Sequence, residues 1–198
     1  ICNSRYRVQG DYHEVYFCET QKMSGVRVQH FPNIGELSKE DAYKALRDPA
    51  LAAGVDFEEK ALEKIYEMTH GYPYFLQEWG YKTWNKAQSN PIICLTVNLA
   101  TQEVIEQLDN NFFRVRFDRL TPAERVFLRT MAELGEGPYK AGDIADKSAV
   151  KVSALSSTRA NLMKKGMIYS PSYGYIAFTV PLFDQFMRRV MPSFSAGA

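Results

Sequence analysis

The chain has 198 residues, 45% of them hydrophobic and 24% charged, and carries a formal net charge of +1. That composition supports a buried core and argues against a disordered chain. No apolar run approaches the ~18 residues that a membrane-crossing helix requires. The charge is unevenly spread: residues 41–118 hold eight Lys/Arg against twelve Asp/Glu, whereas residues 119–198 hold eleven against six. The basic surplus of the last part is the feature to follow towards phosphate.

Residues 1–36 contain two short strand-like runs, Tyr6-Arg7-Val8 and Val15-Tyr16-Phe17, separated by Gly10-Asp11, and no long period. From Leu37 helical spacing takes over. Ser38 is the expected N-cap with Asp41 in the capping-box position; Ala42, Ala45 and Leu46 follow at helical spacing, and Pro49 is expected to end the run. A second helix over 58–69 turns Ala61, Leu62, Ile65 and Tyr66 inward and leaves its glutamates and lysines in water, with Glu63 facing Lys60. His70-Gly71-Tyr72-Pro73 then breaks the pattern, because Gly71 suits a left-handed helix end and Pro73 the first turn of the next helix. That helix, 73–87, carries Phe75, Leu76, Trp79, Thr83 and Trp84 and is expected to centre a core. A further helix over 101–113 is expected to bury Val104, Ile105, Leu108 and Phe112.

Leu120-Thr121-Pro122-Ala123-Glu124 places a cap, an N1 proline and a capping-box glutamate in register. The helix it opens lines one face with Val126, Phe127, Thr130, Met131 and Leu134 and ends at Gly135. A short helix holds Ile144 and Ala145, and a third, over 152–165, is expected to bury Val152, Leu155, Leu162 and Met163 before stopping at Gly166. Met167-Ile168-Tyr169 and Tyr175-Ile176-Ala177-Phe178 read as strands on either side of a Ser170-Pro171-Ser172-Tyr173-Gly174 turn, and a last helix begins near Pro181. Three helices, a hairpin and a closing helix within about 70 residues is the order of a winged helix-turn-helix. The predicted fold class is mainly α: a helical bundle followed by a winged helix-turn-helix domain with a small β-hairpin.

Catalytic patterns do not occur. A phosphate cradle needs G-x-x-x-x-G-K-[ST]; the run Gly80-Tyr81-Lys82-Thr83 has the wrong spacing and falls inside a helix. His13, His30 and His70 are too scattered in sequence to suggest a site, and Cys2, Cys18 and Cys94 form no C-x-x-C pair, so neither a metal site nor a disulfide framework is expected. The helix over 152–165 is more informative. Its apolar positions leave Ser153, Ser156, Ser157, Arg159, Lys164 and Lys165 on other faces, the short polar and basic side chains that contact phosphates and base edges in a major groove. Tyr173 at the hairpin tip would add a contact from the wing. A protein-interaction role for the same unit stays open, and burial of Lys164 and Lys165 against the helical module would favour it.

The ordered set Thr69-His70-Gly71-Tyr72-Pro73-Tyr74-Phe75-Leu76-Gln77, then Leu120-Thr121-Pro122, then Phe178-Thr179-Val180-Pro181-Leu182-Phe183 resembles the C-terminal half of P-loop ATPases of the AAA+/STAND kind. In that family a helical lid with a T-x-G-x-P motif precedes a winged helix, and the resemblance covers residues 33–190. It implies that Gly71, Tyr72 and Pro73 pack near a nucleotide base and sense its state, with ATP or ADP held by the parent protein and none expected for this chain alone. It implies as partner an N-terminal nucleotide-binding domain, since the Walker A and B segments are absent, with DNA or other proteins at the wing and no membrane. The division expected is 1–36 as a poorly defined remnant unlike the end of the family's nucleotide-binding sheet, 37–118 as the lid-like domain, 119–192 as the winged helix and 193–198 as a tail. A first residue of Ile1 with no leader behind it predicts a fragment of a longer protein, and the three cysteines without a C-x-x-C pair predict a reducing cytoplasm. A stand-alone winged-helix transcription regulator and a protein-interaction module are the alternatives.

Overall fold

Ser38 starts the first helix, as its spacing predicts. In the computed structural model, which describes residues 36–149 and 151–193, its hydroxyl oxygen accepts from the Asp41 amide at 3.1 Å and its hydroxyl donates to the Asp41 carboxylate at 2.8 Å. The strand-like runs expected near the N-terminus lie outside the described residues, as do Cys2, Cys18, His13 and His30. Helix α1 spans Lys39–Ala52 and contains Pro49 rather than stopping there. Proline this near the end removes one hydrogen bond, to the carbonyl of the exposed Ala45, while the buried Ala50 holds the final turn in place.

Helices α2 (Glu59–Thr69), α3 (Pro73–Lys86) and α4 (Cys94–Gln107) complete a bundle around Trp79, Phe75, Leu62, Ile65 and Leu76, all 0–2% exposed. Each such side chain is worth about 1.5–3 kcal/mol of apolar burial. Trp84, expected in this core, is 39% exposed. Five residues separate it from Trp79, so the two indoles leave the helix on different sides, and Trp79 takes the inner one with its Nε1 donating to Thr101 at 3.2 Å. Glu63 pairs with Lys39 of α1 at 3.0 Å instead of with Lys60. Helix α4 begins seven residues earlier than its spacing predicts. Its inner face is built from Thr96, Val97, Ala100 and Val104 while Leu95 and Leu99 are 60% and 64% exposed, so bulk apolar side chains do not mark the buried side.

The helical rod does not end at Gln107. A π-helical segment, Leu108–Phe113, and then α5 (Arg114–Asp118) carry it to the corner where α6 begins. Helix α6 (Pro122–Glu133) has both arms of its capping box: the Glu124 amide donates to Thr121 Oγ1 at 3.4 Å and the Thr121 amide to Glu124 Oε2 at 2.7 Å. It is buried from Phe127 through Ala132, since α8 and α9 pack against it as well as α7. Val126, expected on the inner face, is 44% exposed.

Beyond α6 come β1 (Tyr139–Lys140), α7 (Ala141–Lys147), α8 (Val152–Lys164), β2 (Ile168–Tyr169), β3 (Tyr175–Phe178) and α9 (Phe183–Val190). The predicted hairpin forms, with Ile168 opposite Phe178 and Tyr169 opposite Ala177. Strand β1 pairs antiparallel with the other edge of β3, giving the order β1-β3-β2. Two residues are too few to leave a period, which is why β1 is not visible in the sequence. Val152, expected to be buried, is 51% exposed at the first position of α8. The fold class is the one predicted: mainly helical, with a bundle, a second group of helices and a small β-hairpin.

One aromatic file links the two groups of helices. Phe75 meets Phe113 at 5.8 Å between ring centroids, Phe113 meets Phe183 and Phe186 of α9 at 5.7 and 5.3 Å, and Phe186 meets Phe117 at 5.9 Å. Arg189 of α9 adds a two-pronged ion pair with Asp109 of the π-helical segment, at 2.7 and 2.6 Å.

Candidate functional site

The turn between α2 and α3 is built from two left-handed residues in succession, His70 at φ 50° and Gly71 at φ 72°. Gly71 is buried. Its carbonyl accepts from the Leu37 amide at 2.9 Å, and a Cβ placed on it would sit 2.4 Å from the Leu37 carbonyl oxygen. Glycine is therefore required twice over, for its conformation and for the backbone passing beside it. Tyr72 turns inward against Phe75 (4.7 Å) and Phe112 (6.4 Å). Pro73 occupies the first turn of α3 and borders an open, mainly apolar groove of about 360 Å³ between α1 and α3. Leu37, Leu46, Phe57, Tyr81 and Trp84 line the same groove.

The three predicted sensing residues thus sit together but do different work. Gly71 ties down the chain entering α1, Tyr72 packs into the aromatic file, and Pro73 faces the groove. Tyr74, exposed by 37%, stacks on Phe112 at 5.0 Å, and Arg116 lies 3.7 Å from the same ring while donating to the Phe112 carbonyl at 2.8 Å. Burial, with Glu78 nearby, raises the Tyr74 hydroxyl above its ordinary range, and burial lowers the Arg116 guanidinium. Gly80, in the run with the wrong spacing for a phosphate cradle, has a structural use instead, since its missing side chain lets α1 approach: a Cβ there would meet Leu46 Cδ2 at 2.7 Å.

On α8, Ser153, Ser156, Ser157 and Lys164 are exposed, and Ser153, Ser157 and Lys164 fall on one stripe of the helix. Arg159 is half-buried and reaches Ser170 at the start of the hairpin turn at 3.5 Å. Tyr173, at the tip, is fully exposed. Lys165 is engaged elsewhere: its ammonium donates to Glu124 Oε2 at 2.7 Å and to the Arg119 carbonyl at 2.9 Å. Burial pushes the Glu124 carboxyl up, but the hydrogen bonds from Lys165 and Thr121 outweigh it and hold the group below its ordinary value. Lys165 therefore anchors the end of α8 to the α5–α6 corner. Among the described residues no group of His, Cys, Asp and Glu has the geometry to hold a metal, and no helix is long and apolar enough to cross a membrane.

Residues 110–187 match the model of a domain of unknown function (DUF8462), a stretch from the π-helical segment into α9. No curated protein matches the chain. Among solved structures it is similar to the Walker-type ATPase PABY2304 of Pyrococcus abyssi, with 18% identity and a TM-score of 0.63, over 77% of this chain and 42% of that one. It is also matched to the RuvB Holliday junction branch migration motor of Thermotoga maritima, with 16% identity and a TM-score of 0.35, over 81% of this chain and 50% of that one. The chain thus spans less than half of the Walker-type ATPase, and the likeness to it is one of fold.

Proposed function

We propose that this chain is the nucleotide-responsive lid and winged-helix portion of a P-loop ATPase, acting with a nucleotide-binding domain that supplies the phosphate loop. One observation carries the reading: a helical bundle with a Gly71-Tyr72-Pro73 turn, continued through one rod into three helices and a hairpin, superposes on a Walker-type ATPase at a TM-score of 0.63. In this reading ATP or ADP lies against the α2–α3 turn, in the parent protein only. Pro73 at the rim of the groove receives the contact, and Gly71 passes it to the chain entering α1 through its bond to Leu37. The experiment is calorimetric titration of ATP and ADP into the intact ATPase carrying Pro73→Ala. A change of several-fold in either affinity supports the reading; affinities equal to those of the unaltered protein refute the sensing role.

The winged-helix segment in this proposal contacts DNA through Ser153, Ser156, Ser157, Arg159, Lys164 and Tyr173. Support comes from the outward stripe of α8, which carries no carboxylate, and from the projecting Tyr173. The same stripe favours a second reading, a stand-alone DNA-binding regulator with the aromatic bundle as its ligand or dimerisation module. Sequence-specific DNA binding by this chain alone, steeply weakened by salt, would select that reading over the first.

A further inference from the structure

We infer that the corner between α5 and α6 is a phosphate-binding site for a nucleic-acid backbone, formed by Arg114 and Arg125 over the ring of Phe117 together with Arg119. The inference rests on the reading of α8 and the hairpin as a nucleic-acid face and extends that face to residues with no place in it so far.

Arg47, Arg129, Arg188 and Arg189 each form an ion pair with a carboxylate. Among the described residues Arg114, Arg116, Arg119 and Arg125 form none, although all four fall within twelve residues of sequence. Phe117, only 7% exposed, has the Arg125 guanidinium at 4.3 Å and the Arg114 guanidinium at 5.8 Å from its ring centroid. The Nε of Arg125 is buried with no hydrogen-bond partner. Two like charges sharing one ring, with no carboxylate paired to either guanidinium, form an arrangement that an anion at their exposed N–H groups completes.

The nearby negative charges do not cancel it. Glu124 is spent on Lys165 and on the Thr121 amide, and Asp118 is exposed and pairs with neither neighbour. Stacking on an aromatic face fixes a guanidinium plane and leaves its N–H edges for the oxygens of a phosphate. Continuity decides between a phosphate backbone and an acidic protein surface. The Lys165 ammonium bonds the Arg119 carbonyl, which brings the end of α8 against this corner. The Ser153–Ser157–Lys164 stripe ends one residue before Lys165, so the exposed Arg119 adjoins the end of α8 and would extend a run of polar and basic groups suited to a repeating phosphate.

The test is fluorescence anisotropy of the full chain with a duplex of random sequence across a salt series. Arg114→Gln combined with Arg125→Gln is expected to weaken binding about tenfold at low salt and to lower the salt slope by about 2. The exposed Arg119→Gln, which leaves the Phe117 packing intact, is expected to lower the slope by about 1 and guards against misfolding of the double variant. Lys164→Gln combined with Tyr173→Ala reads the α8 face separately. If that pair weakens binding while all three arginine changes leave affinity and slope as in the unaltered chain, the corner site is refuted and the α8 face survives. If the unaltered chain binds no duplex even at low salt, both are refuted, and retained binding to an acidic protein partner would reassign the corner.

Discussion

A methyl group at residue 71 has nowhere to go. The left-handed conformation costs an alanine about 1–2 kcal/mol, and the collision with the Leu37 carbonyl forces a backbone shift of similar cost. Gly71→Ala is therefore expected to lower stability by roughly 3 kcal/mol in denaturant unfolding. Gly54 shares the conformation, at φ 78°, but a Cβ there meets nothing within 4 Å, so Gly54→Ala should lose only about 1 kcal/mol. Equal losses at the two positions would show that the crossing of Leu37 contributes nothing. Glu124 offers a second single-residue test. Its folded carboxyl ionises below the ordinary glutamate range, so its contribution is whole at neutral pH and fades as pH falls below that range towards the folded value. Glu124→Gln should destabilise at neutral pH, and the difference from the unaltered chain should shrink as pH falls below the ordinary glutamate range. A difference that does not change with pH would remove the Lys165–Glu124 pair from the account.

At the scale of the element, α3 separates two tryptophans that look alike in the sequence. Trp79→Ala empties the middle of the bundle and should cost about 3–5 kcal/mol, whereas Trp84→Ala at the groove should cost no more than about 1 kcal/mol in the same unfolding experiment. Reversal of that order would place the core on the wrong face of α3. What could be read in advance follows the same logic. Helix ends fixed by local chemistry were legible: Ser38, Pro73, the Thr121–Glu124 box and Gly166 are where their residue types place them. Elements held by distant partners were not. The amide of Cys94 is capped by Glu58 at 3.2 Å, thirty-six residues away, so the true start of α4 leaves no local sign. The π-helical turn likewise depends on Phe113 and Asp109 meeting α9, a contact that no window of sequence contains. Of the candidate site, the motif Gly71-Tyr72-Pro73 was visible because proline and glycine act locally. The corner of Arg114, Phe117 and Arg125 was not, because Arg125 reaches the Phe117 ring only once α5 turns into α6.

Across the whole molecule, the rod from Cys94 to Asp118 and the aromatic file along it make the bundle and the C-terminal helices mutually dependent. Phe113 sits at the crossing, 1% exposed and in contact with Phe75, Phe183 and Phe186. Phe113→Ala should destabilise the chain by about 3–5 kcal/mol, and Trp fluorescence from the bundle and far-UV circular dichroism should report one coincident transition rather than two. Tyr72, Phe75 and Phe113 form a continuous line of ring contacts from the α2–α3 turn to α9, the physical route by which the proposed lid would be coupled to the C-terminal helices. The most direct measurement is amide hydrogen exchange of the proposed parent ATPase with and without ATP. Exchange at residues 74–77, in the first turn of α3, should slow when ATP is bound. Unchanged exchange there, in a protein shown to have bound the nucleotide, would contradict the lid.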